Sequence, residues 1–272
     1  MSAEAAAGGS EAAAGGPVGA DALDTEPLEI ASRITIASNA TFLGTIAGTP
    51  VVYKPAAGEK PLWDFPDGDL ADRERAAYLV SEEFGWDIVP RTWLRHGPLG
   101  MGMVQLWQDV DPAQDAVDIV APELVPSTGW RHVFEGYDER DRPVALIHED
   151  SEALRRMAVF DVVVNNADRK GGHILEMPGG HRYGVDHGLT FHVEHKLRTV
   201  LWGWLGEELT DAELAAVARV RRALDEEFGL TLVDLLDDDE IDAFARRCDR
   251  LLRDGAFPEP HGRMPAVPYP IF

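Results

Sequence analysis

Lysine is nearly missing from this chain of 272 residues. Four of them, Lys54, Lys60, Lys170 and Lys196, stand beside twenty-one arginines. Surface cations are therefore almost always arginine, and a lysine at a chemically useful place is informative. Cysteine is scarcer still: Cys248 stands alone, which excludes an internal disulfide and suits a reducing compartment. No apolar run approaches the roughly 20 residues that cross a bilayer. The opening MSAEAAAGGSEAAAGGP has neither the basic region nor the apolar core of a signal peptide. The expectation is a cytoplasmic protein without stable membrane insertion. Positive charge is short overall, with a formal net charge of −23. That argues against nucleic-acid binding, which needs clustered Lys and Arg to neutralise phosphates, and against broad docking onto anionic lipid. No G-x-x-x-x-G-K-[ST] stretch is present, which disfavours a P-loop nucleotidase.

What is there is an ordinary globular composition, 45% hydrophobic and 27% charged, long enough to bury a substantial core. Residues 1–27, rich in Ala, Gly, Ser and Glu, read as a disordered leader. Order is expected from LEIASRITIAS onward, where alternating apolar residues and the turn signals at Ser38-Asn39-Ala40 and Gly48 give three short strands ending in TPVVYKP. A polar loop, AAGEKPLWDFPDGD, leads into a helix over about 70–84 with Gly85 as its C-terminal stop. WDIVPRTWLRHGPLGMGMVQLWQDV reads as two more strands about the turn HGPLG. A hairpin follows in HVFEGYDERDRPVALIH. Ser151 caps a helix over about 152–166. Thr210 and Glu213 form a capping-box pattern that starts a helix to about 228, and another helix runs over about 238–254, closed by Gly255. The layout predicts an α+β fold of two lobes: a strand-rich N-lobe at 28–110, a helix-rich C-lobe at 111–255 and a Pro-rich tail at 256–272. A cleft between two such lobes commonly holds a ligand.

The chemistry concentrates in NNADRKGGHIL, residues 165–175, and in GVDHGLTF, which carries a second acid eighteen positions after the first. A single aspartate behind a helix is usually a turn cap. Asp168, however, has Lys170 and His173 beside it, and Asp186 stands after the strand-like HRYGV. Phosphoryl transfer from a nucleotide asks for this set: one carboxylate to position the attacking hydroxyl, a cation to offset charge on the moving group, and a second carboxylate for the metal on the phosphates. Gly188 is expected to lend flexibility beside the metal-binding acid.

Asp168-Arg169-Lys170-Gly171-Gly172-His173 resembles the D-x-K-x-x-N catalytic loop of protein kinases and the D-R-x-x-x-N loop of the phosphatidylinositol 3- and 4-kinase superfamily. Val185-Asp186-His187-Gly188-Leu189-Thr190-Phe191 is similar to the I-D-N-G-L-x-F motif of type II phosphatidylinositol 4-kinases. The phrase YKPAAGEKPLWDFPDG also resembles a group of actinobacterial kinase-like proteins. The resemblance spans roughly residues 33–255 and implies a bilobal, protein-kinase-like or phosphoinositide-kinase-like fold that uses ATP with Mg2+ or Mn2+. On that reading Asp168 and Lys170 are catalytic, and Asp186 with His173 holds the metal. Lys54, paired with Glu74, anchors the α- and β-phosphates. The loop SNATF covers the phosphates through backbone N–H groups and the Ser38 or Thr41 hydroxyl, although it lacks G-x-G-x-x-G. Gln105, Leu106 and Trp107 lie near the adenine; a Trp107 buried in the core is an equal alternative. The partners implied are a nucleotide and an unidentified hydroxyl-bearing acceptor.

His173 replaces the asparagine of both families. An imidazole favours Mn, Zn or Fe over Mg more than an amide oxygen does, and Asn165 or Asn166 could compensate. The substitution leaves three readings: a working kinase, which Lys54, Glu74, Asp168, Lys170 and Asp186 together favour; an altered metal preference; and a nucleotide-binding pseudokinase that regulates a partner. A rival from another class is a histidine-rich metal-dependent hydrolase. The last is suggested by His173, His181, His187, His192 and His195, though HVEHK matches no zinc-hydrolase motif. Cys248 is expected to pack in the core, and LDDDEID to start the last helix, where the macrodipole favours acids.

Overall fold

The computed structural model describes residues 20–34, 39–59, 65, 69–261 and 264–272; Ser38 and Lys60 lie outside the described residues. The chain is α+β, in two lobes. A short helix α1 (Ala20–Thr25) precedes β1 (Leu28–Arg33), β2 (Phe42–Ile46), β3 (Thr49–Pro55), α2 (Leu70–Phe84), β4 (Thr92–Gly97) and β5 (Gly100–Leu106). These strands form one antiparallel sheet in the order β1-β2-β3-β5-β4. Successive side chains alternate between its faces. One face gathers Leu28, Ile46, Val51, Tyr53, Trp93 and Val104 into a small core with Leu23 of α1. The other face presents Val52 and Lys54 of β3 opposite Gln105 and Met103 of β5.

Residues 20–25, inside the stretch expected to be a leader, are thus helical. Leu23 is buried, and the carbonyls of Leu23 and Glu26 accept from Arg95 of β4. That anchor lies about seventy residues downstream, so local composition does not reveal it.

The second half adds β6 (Val117–Val120), β7 (Trp130–Tyr137) and β8 (Pro143–Glu149), an antiparallel sheet in the order β6-β8-β7. Then come α3 (Glu152–Val164), the two-stranded pair β9 (Ile174–Glu176) and β10 (Arg182–Gly184), and α4 (Asp211–Ala223), α5 (Glu227–Leu232) and α6 (Asp238–Asp254). Local chemistry sets the helix ends as expected. Ser151 accepts from the Leu154 amide, Thr210 and Glu213 cap each other, and Gly85 and Gly255 terminate α2 and α6 in the left-handed region. The helix expected to reach 228 instead breaks at Ala223 and resumes as α5. The chain doubles back there so closely that a Cβ at Gly229 would lie 2.0 Å from the Leu224 carbonyl; only glycine fits.

α2 is shared between the lobes. Ala76, Ala77, Val80 and Phe84 belong to the large core built by α3, α4 and α6. Arg73 donates to the Thr190 carbonyl and pairs with Glu240 of α6. Cys248 is fully buried in this core, which pushes its thiol up to about 12 and makes it inert. The Pro-rich tail is irregular yet fixed: Ala266 accepts from the Thr199 amide and the Trp202 indole, and Ile271 accepts from the Gly171 amide. Among the described residues no helix is long and apolar enough to cross a membrane.

One buried histidine makes this fold acid-sensitive. His148 on β8 bonds the Glu149 carbonyl through Nδ1 and accepts the Gly203 amide at Nε2, 3.0 Å, with its ring 4.4 Å from that of Trp204. Burial lowers its pKa from 6.5 to about 4. Between those values the unfolded chain binds the proton and the folded one does not, so stability falls as pH drops from 6.5 to 4, by about 3 kcal/mol from this group. His148→Gln is expected to flatten that part of the pH dependence in urea unfolding, though not to abolish it. His195, depressed in the same direction, remains. An unchanged slope would exclude His148.

Candidate active site

Lys54 reaches the cleft because β3 turns Val51, Tyr53 and Pro55 into the sheet's core and leaves the residues between them on the opposite face. Its Nζ donates to Glu74 Oε1 of α2 and to Asp186 Oδ1, each at 2.6 Å. Burial disfavours the ammonium, but Asp186 and Glu74 outweigh it and hold Lys54 charged. In turn Lys54 pulls the Asp186 carboxyl far below the usual carboxylate range. Burial pushes Glu74 up, against Lys54 and the His187 amide, which donates to Glu74 Oε2 at 3.0 Å. Glu74 is 2% exposed, whereas the Asp186 side chain is 52% exposed. The triad of Glu74, Lys54 and Asp186 is thus anchored at the glutamate and open at the aspartate.

Asp186 sits at φ +61°, a left-handed conformation that costs a non-glycine residue about 1 kcal/mol or more. Both flanks hold it there. The Val185 carbonyl accepts from Arg169 and the Val185 amide donates to the His173 carbonyl, while the His187 amide is held by Glu74. Gly188, expected to supply flexibility, has another role: a Cβ there would lie 3.2 Å from Leu70 Cβ at the start of α2, so the glycine permits close approach between lobes.

The Asp168 loop hangs from the end of α3. Asn165 closes the helix at φ +57°, donates to the His192 and Glu194 carbonyls and accepts the Lys196 amide. Asn166 accepts the Asp168 amide at 2.9 Å and donates to Asp161. Both amide side chains are thus spent on holding backbone and loop, so neither takes up the part of the missing motif asparagine. Asp168 pairs with Lys170 at 3.0 Å, and both side chains are about one-fifth exposed. His173 Nδ1 bonds the Asp168 carbonyl at 2.9 Å, which leaves Nε2 facing Asp186 Oδ2 at 3.3 Å. Burial lowers the His173 pKa, with Asp186 acting against it. A neutral imidazole turns a lone pair toward the same side as a carboxylate oxygen here, so the two atoms could serve as neighbouring ligands of one cation.

Lys54, Glu74, Asp186 and His173 therefore form one contact chain, joined to the Asp168–Lys170 pair through the Asp168 carbonyl. The other expected residues stand apart from it. Thr41 is buried just ahead of β2, its hydroxyl donating to the Asn39 carbonyl. Gln105 shares the sheet face of Lys54 but is buried and donates to Thr92. Trp107 is 42% exposed beyond the end of β5, with its indole on Asp109, so it is not a core residue.

Arg169 and Asp161, to which the sequence assigns no role, organise the site. Arg169, fully buried, makes two bonds to Asp161, at 2.8 and 2.9 Å, and a third to His187 Nε2 at 2.7 Å. It also donates to the His173 and Val185 carbonyls. Asp161, His187 and Asn166 complete the cluster. Burial drives the His187 pKa well down, so its Nε2 accepts from Arg169. The available signal was Asp161 itself: an acid inside the apolar run VFDVVV requires a buried cation. The histidines are dispersed: His181 packs on Tyr183, His192 on Phe65 and His195 on His261. Among the described residues no three of His, Cys, Asp and Glu are grouped as a metal cage.

No protein-family model matches the chain. Protein Rv2133c of Mycobacterium tuberculosis is 49% identical over 257 residues, spanning 90% of this chain and 92% of that protein. Among solved structures, the crystal structure of a Helicobacter pylori proinflammatory kinase, CtkA, aligns at a TM-score of 0.46 and 11% identity, over 86% of this chain and 94% of the other.

Proposed function

From the premise that this chain belongs to one family with protein Rv2133c, we propose that it is an ATP-dependent phosphotransferase acting on a hydroxyl acceptor. The observation that carries the reading is the Lys54 ammonium held 2.6 Å from both the buried Glu74 and the half-exposed Asp186. A lysine fixed on a strand by a helix glutamate, beside an open carboxylate, is the arrangement that grips nucleotide phosphates. Lys54 binds the α- and β-phosphates, with Glu74 orienting it. Asp168 accepts the proton of the attacking hydroxyl, and Lys170 offsets charge on the transferred phosphoryl group. Water is the simplest competing acceptor.

A divalent metal fits the donor set. Such ions in nucleotide sites take one or two protein ligands and complete their shell with phosphates and water. Asp186 and the Nε2 lone pair of His173 would hold it. Bound there, Mg2+ or Mn2+ neutralises charge on the phosphates, and the imidazole favours Mn2+.

Thermal unfolding of the full chain with ATP tests this. At a hundredfold excess over Kd, ATP with Mn2+ is expected to raise Tm by about 5 °C or more, with a smaller rise in Mg2+ and none in EDTA. Labelled γ-phosphoryl transfer or ADP release should follow. A rise without turnover would support a nucleotide-binding module, and no metal-dependent rise would sink both.

A further inference from the structure

The loop that carries Asp168 and Lys170 is held at both ends by buried polar groups. At its start Asn166 accepts the Asp168 amide, and Arg169 is bonded to Asp161. At its end the His173 carbonyl accepts from Arg169 and from the Val185 amide. Between these ends stand Lys170, Gly171 and Gly172. Two glycines bring no side chain to pack, and glycine has the most conformational freedom to lose. The Lys170 side chain pairs with Asp168 of the same loop, so that contact does not tie the loop to another element.

The tail supplies that tie. The Ile271 carbonyl accepts the Gly171 amide at 2.8 Å. The Phe272 ring fills the space that a side chain at 171 would take: a Cβ there would lie 2.3 Å from Phe272 Cε1 and 2.7 Å from Cδ1. A Cβ at Gly172 would meet the Phe272 backbone at 3.9 Å. The tail is itself fastened. Ala266 accepts from the Thr199 amide and the Trp202 indole, Thr199 is bridged to Arg169, and Val267 and Ile271 pack on the large core. Pro265, Pro268 and Pro270 fix φ, which lowers the entropy lost in holding the segment still. Phe272 is 56% exposed and stands outside that core, so its ring matters more to the loop than to the fold.

We propose that Phe272 is a positioning residue: its ring, seated on Gly171, fixes the Lys170–Gly172 backbone and so keeps the Lys170 ammonium where it offsets charge on the transferred group. The catalytic consequence rests on the phosphotransferase reading; the seat of the ring on the loop does not. Nucleotide binding should be insensitive to it. Lys54 and Asp186 are held by Glu74, by each other and by His173, not by the tail.

ADP release and amide hydrogen exchange on the full chain test it. With saturating ATP and Mn2+, Phe272→Ala is expected to lower the rate of ADP release about tenfold, with the urea midpoint and the metal-dependent ATP shift in Tm unchanged. Phe272→Tyr, which keeps the ring, should retain the natural rate. Gly171→Ala, which drives the ring off its seat, should fall by a similar factor, and the double variant Gly171→Ala/Phe272→Ala no further than either single one. Exchange needs no turnover: the Gly171 amide should exchange faster in Phe272→Ala. Unchanged exchange there would overturn the seat whatever the rates. A rate for Phe272→Ala within about twofold of the natural chain would overturn the positioning role, and so would a raised rate, the mark of a tail that blocks the acceptor. Faster Gly171 exchange in a protein that shows neither ADP release nor an ATP shift would sink the phosphotransferase reading, and with it the catalytic role of Phe272, while the seat on the loop would stand.

Discussion

Asp186→Asn is expected to lower phosphoryl transfer by about a thousandfold and to erase the metal-dependent part of the ATP effect on Tm, with the fold intact. The substitution isolates charge. Asparagine has the same shape as aspartate and tolerates the left-handed conformation that φ +61° requires. Lys54 keeps Glu74, so the ammonium is not left unpaired in the cleft. Because the Asp186 side chain is half exposed, losing its ion pair with Lys54 costs the fold about 1 kcal/mol or less. What disappears is the anionic ligand opposite His173 Nε2, the part that a divalent ion needs. Circular dichroism melts checked against ADP release separate the two effects. Turnover within tenfold of the natural chain would remove Asp186 from the reaction. A melt lowered by many degrees would mean that it holds the lobes together instead.

Much of this arrangement was legible because it is local or follows chain order. The caps at Ser151, Thr210 and Gly85 depend on residues within one helical turn of each other. Lys54 is legible for a different reason: a rare residue ends a strand ahead of a helix carrying Glu74 and well ahead of two loop acids, and the structure brings Lys54, Glu74, Asp186 and His173 into contact. What was not legible depends on partners far apart in sequence. The helix α1 is anchored by Arg95. Asn165 and Asn166 invite a reading as metal ligands, yet they bond backbone and loop groups that only the folded segment 192–196 and the Asp168 turn put in reach. The mobility expected of Gly188 reflects the same blind spot, because its tight contact with Leu70 comes from the opposite lobe. Gln105 and Trp107 were read from one strand. The alternation places Gln105 on the face of Lys54, but only the packed sheet reveals that Thr92 takes its amide.

The cluster around Arg169 has the second large consequence. Arg169→Leu is expected to cost about 3–5 kcal/mol, a large share of the roughly 5–15 kcal/mol that holds a domain folded. The loss is not that of a surface ion pair: Asp161 and Arg169 are both fully buried, so removing the guanidinium strands a charged carboxylate with the uncharged Asn166 amide as its hydrogen-bond donor. Deleting both charges in Asp161→Leu/Arg169→Leu should restore part of the stability, because no unpaired ion remains. Recovery should be incomplete, since the His173 and Val185 carbonyls and His187 Nε2 still lose their donor. Urea unfolding of the two single variants and the double closes the cycle; strict additivity would mean that the pair is not a coupled unit. The double variant also bears on the site. Arg169 secures the Val185 carbonyl on one side of Asp186, opposite Glu74 on the other, so a folded double variant should hold the carboxylate less often in its left-handed conformation. Its ATP-dependent shift in Tm should therefore shrink even though Lys54, Asp168, Asp186 and His173 are all unchanged. A full shift in a stable double variant would show that Glu74 alone is enough to aim the carboxylate.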